Sequence, residues 1–243
     1  VLFRPAFAVQ ARELTQSQTI LQNQVEKVSD HLFEKGAMVI PGEIGYDLNY
    51  YAVKLTSIAS GVSLSSFSDI VLTGGSSGVR ALVVGTDATD GTDPDTLYVK
   101  YLDSGTSKTS TAFTHGETLS GTASLSGVDT TITCVVATCH TGSAAEIQAG
   151  TYYINGFHVE VTNQTIVLDK YTNTPSYRVG LTVTESFVTP SDDSSLNDNA
   201  AGSSNVNAPG AHRFKIDLTL AKKTLTSTED SNFIELLRLS EGL

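Results

Sequence analysis

The chain has no tryptophan, one methionine, six prolines and two cysteines among its 243 residues. The missing tryptophan weakens a carbohydrate-cleft reading, because sugar faces stack on large aromatics. Charged residues make up only 17%, against roughly a quarter in typical globular domains, and basic ones are scarcer still. With 15 Lys plus Arg against 26 Asp plus Glu, the formal net charge is -11. A nucleic-acid binder needs a basic face to neutralise phosphate, and docking on anionic lipid needs the same sign of charge. Neither nucleic acid nor membrane is therefore expected as a partner. No run of about 18 apolar residues is present to form a transmembrane helix, and the opening VLFRPAFAVQARELTQ carries no signal-peptide pattern. The opening lacks an initiator Met and the close at SEGL is abrupt, so processing or a longer chain is expected.

Cys134 and Cys139 have a C-x4-C spacing with no second pair, which does not make a zinc site. If VVAT between them is a strand, their side chains point to opposite faces. Two separate thiols near a β core are the expectation.

Gly, Ser and Thr occupy the space that charge leaves, as in β-rich, turn-rich proteins. One segment departs from this. Residues 10–35 contain no Gly or Pro and are followed by Gly36, a natural helix stop. Their apolar residues recur with a heptad spacing: Leu14, Leu21 and Val28 on one register, Val25 and Leu32 on the other, with Gln18 completing it. That is an a/d seam with one polar position. The rest of this helix is polar, so a single copy has little to bury. Two arrangements suit the stripe: self-association in a short parallel coiled coil, or packing on the chain's own sheet. The pattern alone does not choose.

Beyond the helix the chain reads as β. MVI and YYAVKL flank a Pro41-Gly42 turn, and residues 150–171 echo them, with Ile154-Asn155-Gly156 matching Ile40-Pro41-Gly42. Between the two echoes, residues 57–145 form a series of short β runs at turn spacings of a small barrel or sandwich. The acidic turn DATDGTDPD at 87–95 lacks the terminal Glu and flanking helices of an EF-hand and reads as a solvated turn. SYRVGLTVTESFV and HRFKIDLTLAKK alternate as half-buried strands, whereas NFIELLRLSEGL fits a strand or a short helix. Residues 190–211 hold almost no hydrophobes; long loops of this kind are usually functional or partner-bound. Asp192, Asp193 and Asp198 make that loop acidic, and Arg213 lies just beyond it. Arg213 either clamps a carboxylate of such a loop or is an exposed charge at a strand end.

No catalytic constellation emerges. There is no G-x-S-x-G elbow, no H-E-x-x-H, no P-loop, and the five histidines are scattered. A carboxylate pair such as Glu43 and Asp47, or Asp192 and Asp193, has only its residue types in favour of glycosidase chemistry. The expectation is a non-enzymatic protein without cofactor or metal.

Three stretches together resemble a family of virion structural proteins of tailed bacteriophages, best represented in phages of cyanobacteria and other marine bacteria. They are FRPAFAVQARELTQSQTILQNQVEKVSDHLFEKGAMVIPG, the run from GTYYINGFHVEV through SLNDNA and APGAHR to DLTLAKK, and the ELLRLSEG ending. They span roughly residues 3–55 and 146–243, about three fifths of the chain; the middle β segment matches less clearly. The resemblance implies a tail-fibre or baseplate-associated structural role in the virion, and no catalytic residues. It favours self-association of the helix, in a homotrimer with Leu14, Gln18, Leu21, Val25, Val28 and Leu32 at the interface. Residues 1–9, with Phe3, Phe7 and Val9, would be an attachment arm that orders on a partner such as another tail or baseplate protein. The 190–211 loop, with Asp192, Asp193, Asp198 and Arg213, would contact a neighbouring subunit.

The expected fold is thus mainly β with one long N-terminal α-helix in a trimeric coiled coil. A β domain from 36–56 and 146–243 would carry the 57–145 module as an insertion. The alternative function is a receptor-binding adhesin contacting host surface polysaccharide through that module.

Overall fold

The computed structural model describes residues 1–106, 108–202, 204–228 and 230–243. Among the described residues one α-helix, α1 (Ala11–Leu32), precedes thirteen strands. These are β1 (Met38–Ile40), β2 (Ile44–Ile58), β3 (Val71–Gly74), β4 (Arg80–Asp87), β5 (Thr96–Tyr101), β6 (Thr118–Leu125) and β7 (Val128–Ile147), then β8 (Gly150–Ile154), β9 (Phe157–Val161), β10 (Gln164–Asp169), β11 (Tyr177–Val188), β12 (Arg213–Thr224) and β13 (Phe233–Leu239). The fold is mainly β with a single N-terminal helix. The chain divides into two compact units. The first comprises residues 1–45, 146–165 and 178–238; the second comprises 46–145, 166–177 and 239–243.

The second unit is built on a sheet of order β10-β7-β2-β5-β4-β3-β6, in which β6 also pairs with β7. That extra pairing closes six strands into a barrel and removes the free edges an open sheet would expose. Closure needs the length of β7, whose first half pairs with β6 from Val128↔Leu125 to Val135↔Thr118. Between β4 and β5 the register slips by one residue between Val83 and Gly85, a bulge of the kind that lets a small barrel bend. Alternate side chains fill the interior: Val53 and Leu55 from β2, Ala81 and Val83 from β4, Leu97 and Val99 from β5, and Ile132, Cys134 and Val136 from β7. Phe67 and Phe113 join them from the connections.

Three expectations are corrected here. The compact unit is wider than residues 57–145, because the barrel cannot close without β2 and takes β10 alongside β7. The thiols of Cys134 and Cys139 are free but do not face opposite ways. Cys134 lies in the barrel core and Cys139 packs against the same core, so the two-residue alternation is broken between Val136 and Cys139. The helix ends at Leu32 rather than at residue 35, because Phe33 is already extended and its ring packs on Tyr153 and His158. The 87–95 turn spends its carboxylates locally. Asp90 Oδ1 accepts from the Thr92 and Asp93 amides at 2.9 and 2.8 Å, Asp93 pairs with Lys54 at 3.0 Å, and Asp87 pairs with Lys170 at 2.7 Å.

The first unit contains α1 and two three-stranded sheets, ordered β1-β8-β9 and β12-β11-β13. β8 and β9 form a hairpin whose two-residue turn is Asn155-Gly156, both with positive φ (47° and 91°), as a type I′ turn requires. The sequence echo has a structural counterpart. β1 pairs with β8, the first strand of the echoing hairpin, and β2 and β10 flank the same strand, β7. NFIELLRL is a strand, β13. In β11, Val179, Leu181 and Val183 are buried as their alternation predicts. Arg178, on β11, is a buried cation of this unit. Its guanidinium donates to Glu235 at 2.5 Å, to Asp230 at 2.7 Å and to the Ser227 carbonyl at 2.7 Å, so the charge and the fork geometry are both satisfied.

Candidate functional site

The helix is the place where sequence pattern and packing disagree most. A helix on a domain surface normally turns its apolar stripe inward. Here the flank that packs on the chain is polar: Gln22, Glu26 and Ser29 are buried or half-buried, and Ser29 is 5% exposed. Asp30 accepts a hydrogen bond from the Tyr153 hydroxyl at 2.5 Å, and the same hydroxyl reaches the Glu26 carbonyl at 3.3 Å. The Asp30 carboxylate pushes the Tyr153 phenol up to about 12, and burial adds to it. The tip of the β8–β9 hairpin lies against the helix as well. A Cβ on Gly156 would come within 3.0 Å of the Glu26 side chain. At the N-terminus, Glu13 accepts from the Gln10 amide at 2.8 Å, the reciprocal half of a capping box.

The apolar seam lies about a quarter-turn away at roughly 100° per residue and faces outward. Leu14, Leu21, Val25, Val28 and Leu32 are 58, 62, 52, 63 and 70% exposed. Gln18 is also exposed. Five large hydrophobes in one stripe, all more than half in water, form a contiguous apolar surface of the sort that marks an interaction site.

Beside this seam lies an open groove of about 790 Å³. Gln18 and Gln22 form its helical wall; β9 contributes Phe157 and Glu160, and the start of β12 contributes Phe214 and Ile216. Phe214 packs between Phe157 and Phe187 with tilted rings, their centroids 5.4 and 5.7 Å away. Phe214 and Phe187 remain 44 and 69% exposed. The strand pattern of β12 anticipates this: Leu218 and Leu220 are buried, while the alternation runs on to Ile216 and Phe214 past the end of the core. The groove itself was not legible from sequence, since its walls come from three separated segments.

The other predicted residues lie apart from the seam. Phe3, Phe7 and Val9 are 52, 67 and 55% exposed, and Arg4 lies over the Phe7 ring at 5.0 Å. The three aspartates of the 190–211 loop bind the loop to itself. Asp192 accepts from the amide and hydroxyl of Thr189, Asp193 from the Ser195 amide, and Asp198 from the Ala200 amide. Hydrogen bonds to the ionised forms hold Asp192 and Asp193 below the usual carboxylate range. A bridge from Asn197 to Pro209 closes the loop. Arg213 does not clamp these carboxylates; its guanidinium donates to the carbonyl of Ala211 at 2.9 Å. The exposed strand-end charge is the observed arrangement.

Among the described residues no group of three or more His, Cys, Asp and Glu side chains is arranged to hold a metal, and no helix is long and apolar enough to cross a membrane. No curated protein and no solved structure matches the chain. One family model does match, over residues 103–243. The match runs from the connection after β5 to the last residue and leaves α1 outside it. It takes in more than half of the 243 residues, so the chain belongs to the family described as a domain of unknown function, DUF4815.

Proposed function

We propose that this protein is a structural component of a bacteriophage tail, in the baseplate or at the base of a tail fibre. It assembles as a homotrimer through α1 and connects other virion proteins. The observation that carries the reading is the outward seam: Leu14, Leu21, Val25, Val28 and Leu32 are all more than half exposed on a helix held by its polar flank. Burying such side chains contributes about 1.5 kcal/mol or more each, which gives the helix a reason to associate. By the three- and four-residue steps, Gln18, Val25 and Leu32 occupy a positions and Leu14, Leu21 and Val28 occupy d. A polar residue at one a position sets register at a cost in stability, a role that suits Gln18. The heptads support association and parallel register. The choice of three strands comes from the resemblance of the 3–55 and 146–243 segments to phage virion proteins. The exposed arm, with Phe3, Phe7 and Val9, offers a second apolar contact. The acidic 190–211 loop is an outer surface available to neighbours. The reading assigns no catalysis and no cofactor.

Light scattering on the purified full chain tests it. The expected species has three chain masses at every concentration down to the micromolar range. Leu21→Asp places one carboxylate per chain together in a single seam layer and should reduce the mass to one chain with unchanged circular dichroism. A wild-type chain that stays monomeric, or a Leu21→Asp variant that keeps the wild-type mass, refutes the seam. A stable dimer refutes the trimer.

A further inference from the structure

The groove beside the seam has walls that are strand edges. β9 is the last strand of the sheet β1-β8-β9, and β12 is the first of the sheet β12-β11-β13. Edge strands carry outward main-chain groups that accept an added strand. Further along β12 that edge is already occupied. The Gln164 side chain donates to the Leu218 carbonyl at 2.9 Å and accepts from the Leu220 amide at 2.7 Å. Main-chain groups in a strand repeat their direction every two residues, so those of Phe214 and Ile216 point the same way as those of Leu218 and Leu220. Both residues line the groove, and by this alternation their main-chain groups are available beyond the two that Gln164 takes.

We propose that this groove is a β-augmentation site for the N-terminal arm, residues 1–9, of a second copy of this chain. The inference rests on the self-assembly proposed above and names what the exposed arm does in it. The arm sequence VLFRPAFAV alternates in the way an added strand requires: Phe3, Pro5, Phe7 and Val9 fall on one set, Leu2, Arg4, Ala6 and Ala8 on the other. Pro5 has no N–H and so belongs with the residues whose main chain points away from the acceptor edge. The second set then supplies the hydrogen bonds, and Phe3, Phe7 and Val9 present a single apolar face to the aromatic cluster of Phe157, Phe214 and Phe187. Arg4 on the arm complements Glu160 in the groove.

Reach and strain agree with this. Gln18 and Gln22 stand seven and eleven residues beyond the helix start, roughly 10–17 Å at 1.5 Å per residue. Nine extended residues span about 30 Å, ample for an arm leaving the first turn of an adjacent parallel helix. In the single chain the arm is not extended. It turns at residues 5–7, with Ala6 at φ 66°, a left-handed conformation that costs a non-glycine residue free energy. Docking as a strand removes that cost. The chain's own arm stays outside its own groove even though both are present, which favours exchange between copies. Gln18 belongs to both seam and groove, so the two contacts form one continuous surface.

Amide hydrogen exchange on the full chain, together with its mass, tests the proposal. The reference variant is Phe3→Ser/Phe7→Ser, at two exposed positions that no core uses. Expected is a three-chain mass for both proteins, with Phe214 and Ile216 amides exchanging about tenfold faster in the variant. Equal exchange in two proteins of equal mass overturns arm docking while leaving the seam intact. The monomeric Leu21→Asp protein separates the sources: loss of protection there supports a second copy. Protection that persists in the monomer, and that the arm substitutions abolish, assigns the groove to the chain's own arm and overturns the exchange.

Discussion

Replacing Arg178 with Met should destabilise the first unit by about 3 kcal/mol. The side chain of Arg178 is 7% exposed and its guanidinium holds two carboxylates and one carbonyl. Removing one member of a buried ion pair typically costs about 3–5 kcal/mol, because the surviving charge is left without its partner. The lower end applies here for two reasons. Glu235 keeps Arg238, which donates to it at 2.7 and 3.0 Å, and the Asp230 side chain is 46% exposed and can return to water. Arg178→Lys keeps the charge but not the fork and should lose about half as much. The same cluster sets an acid limit. Glu235 is held down at about 2, first by its hydrogen bond to Arg238, against burial, and then by Arg178. A carboxylate depressed in the folded state stabilises fully above its unfolded value, near 4.3. That stabilisation is lost as pH falls from about 4.3 towards 2. The assay is urea unfolding followed by far-ultraviolet circular dichroism, with exchange of the Phe233–Leu239 amides to assign the transition to β13. If Arg178→Met unfolds within about 0.5 kcal/mol of wild type, as surface substitutions do, the cluster is not what holds β11 to β13.

Three further outcomes follow from individual contacts. Glu117 is 6% exposed and accepts from the amides of Thr114, Ser76 and Ser77 and from both serine hydroxyls. Burial pushes its carboxyl up, but these donors outweigh burial and hold it below the usual range. Glu117→Ala should cost the barrel about 2–3 kcal/mol in chemical denaturation, and its stabilisation should fade only below the ordinary glutamate pKa; an unchanged midpoint rejects the role. Tyr153→Phe removes the hydroxyl that ties α1 to its sheet through Asp30 and should raise amide exchange in Glu26–Leu32 several-fold at a cost of about 1–2 kcal/mol. Unaltered exchange there would show that the helix is held by other contacts. Gly180→Ala puts a Cβ onto the carbonyl oxygen of Ile234 on the paired strand, a backbone collision expected to prevent normal folding of the sheet; a variant that melts with wild type would refute the close approach.

The fold class and the heptad stripe were legible because both depend on local period. Residues 11–32 carry no helix breaker, and the two-residue alternations at Val179–Val183 and Phe214–Leu220 read directly as strands. The turn at Asn155-Gly156 follows from a residue pair that enters two positive φ angles at low cost. Local period could not show which partner each face meets. Residues 57–145 looked separate because their strands are consecutive, yet the barrel borrows β2 and takes β10 alongside β7. The closing pair β6–β7 is a hairpin turning at Ser126-Gly127, but closure also needs β2 against β5 and β7, pairings between distant segments that carry no sequence signature. The break between Val136 and Cys139 likewise depends on how β7 bends around the core.

The kind of each element and the composition of each face thus follow from local residue order, down to the five apolar seam residues on a polar helix. Which face of that helix turns inward depends on long-range packing. The Tyr153 hydroxyl and the Asn155-Gly156 tip meet Glu26 and Asp30, and Phe33 just past the helix packs on Tyr153 and His158, so the polar flank goes inward and the stripe of Leu14 to Leu32 is left facing solvent. The groove of Gln18, Phe157 and Phe214 likewise exists only in three dimensions, because two sheet edges distant in sequence meet one side of the helix.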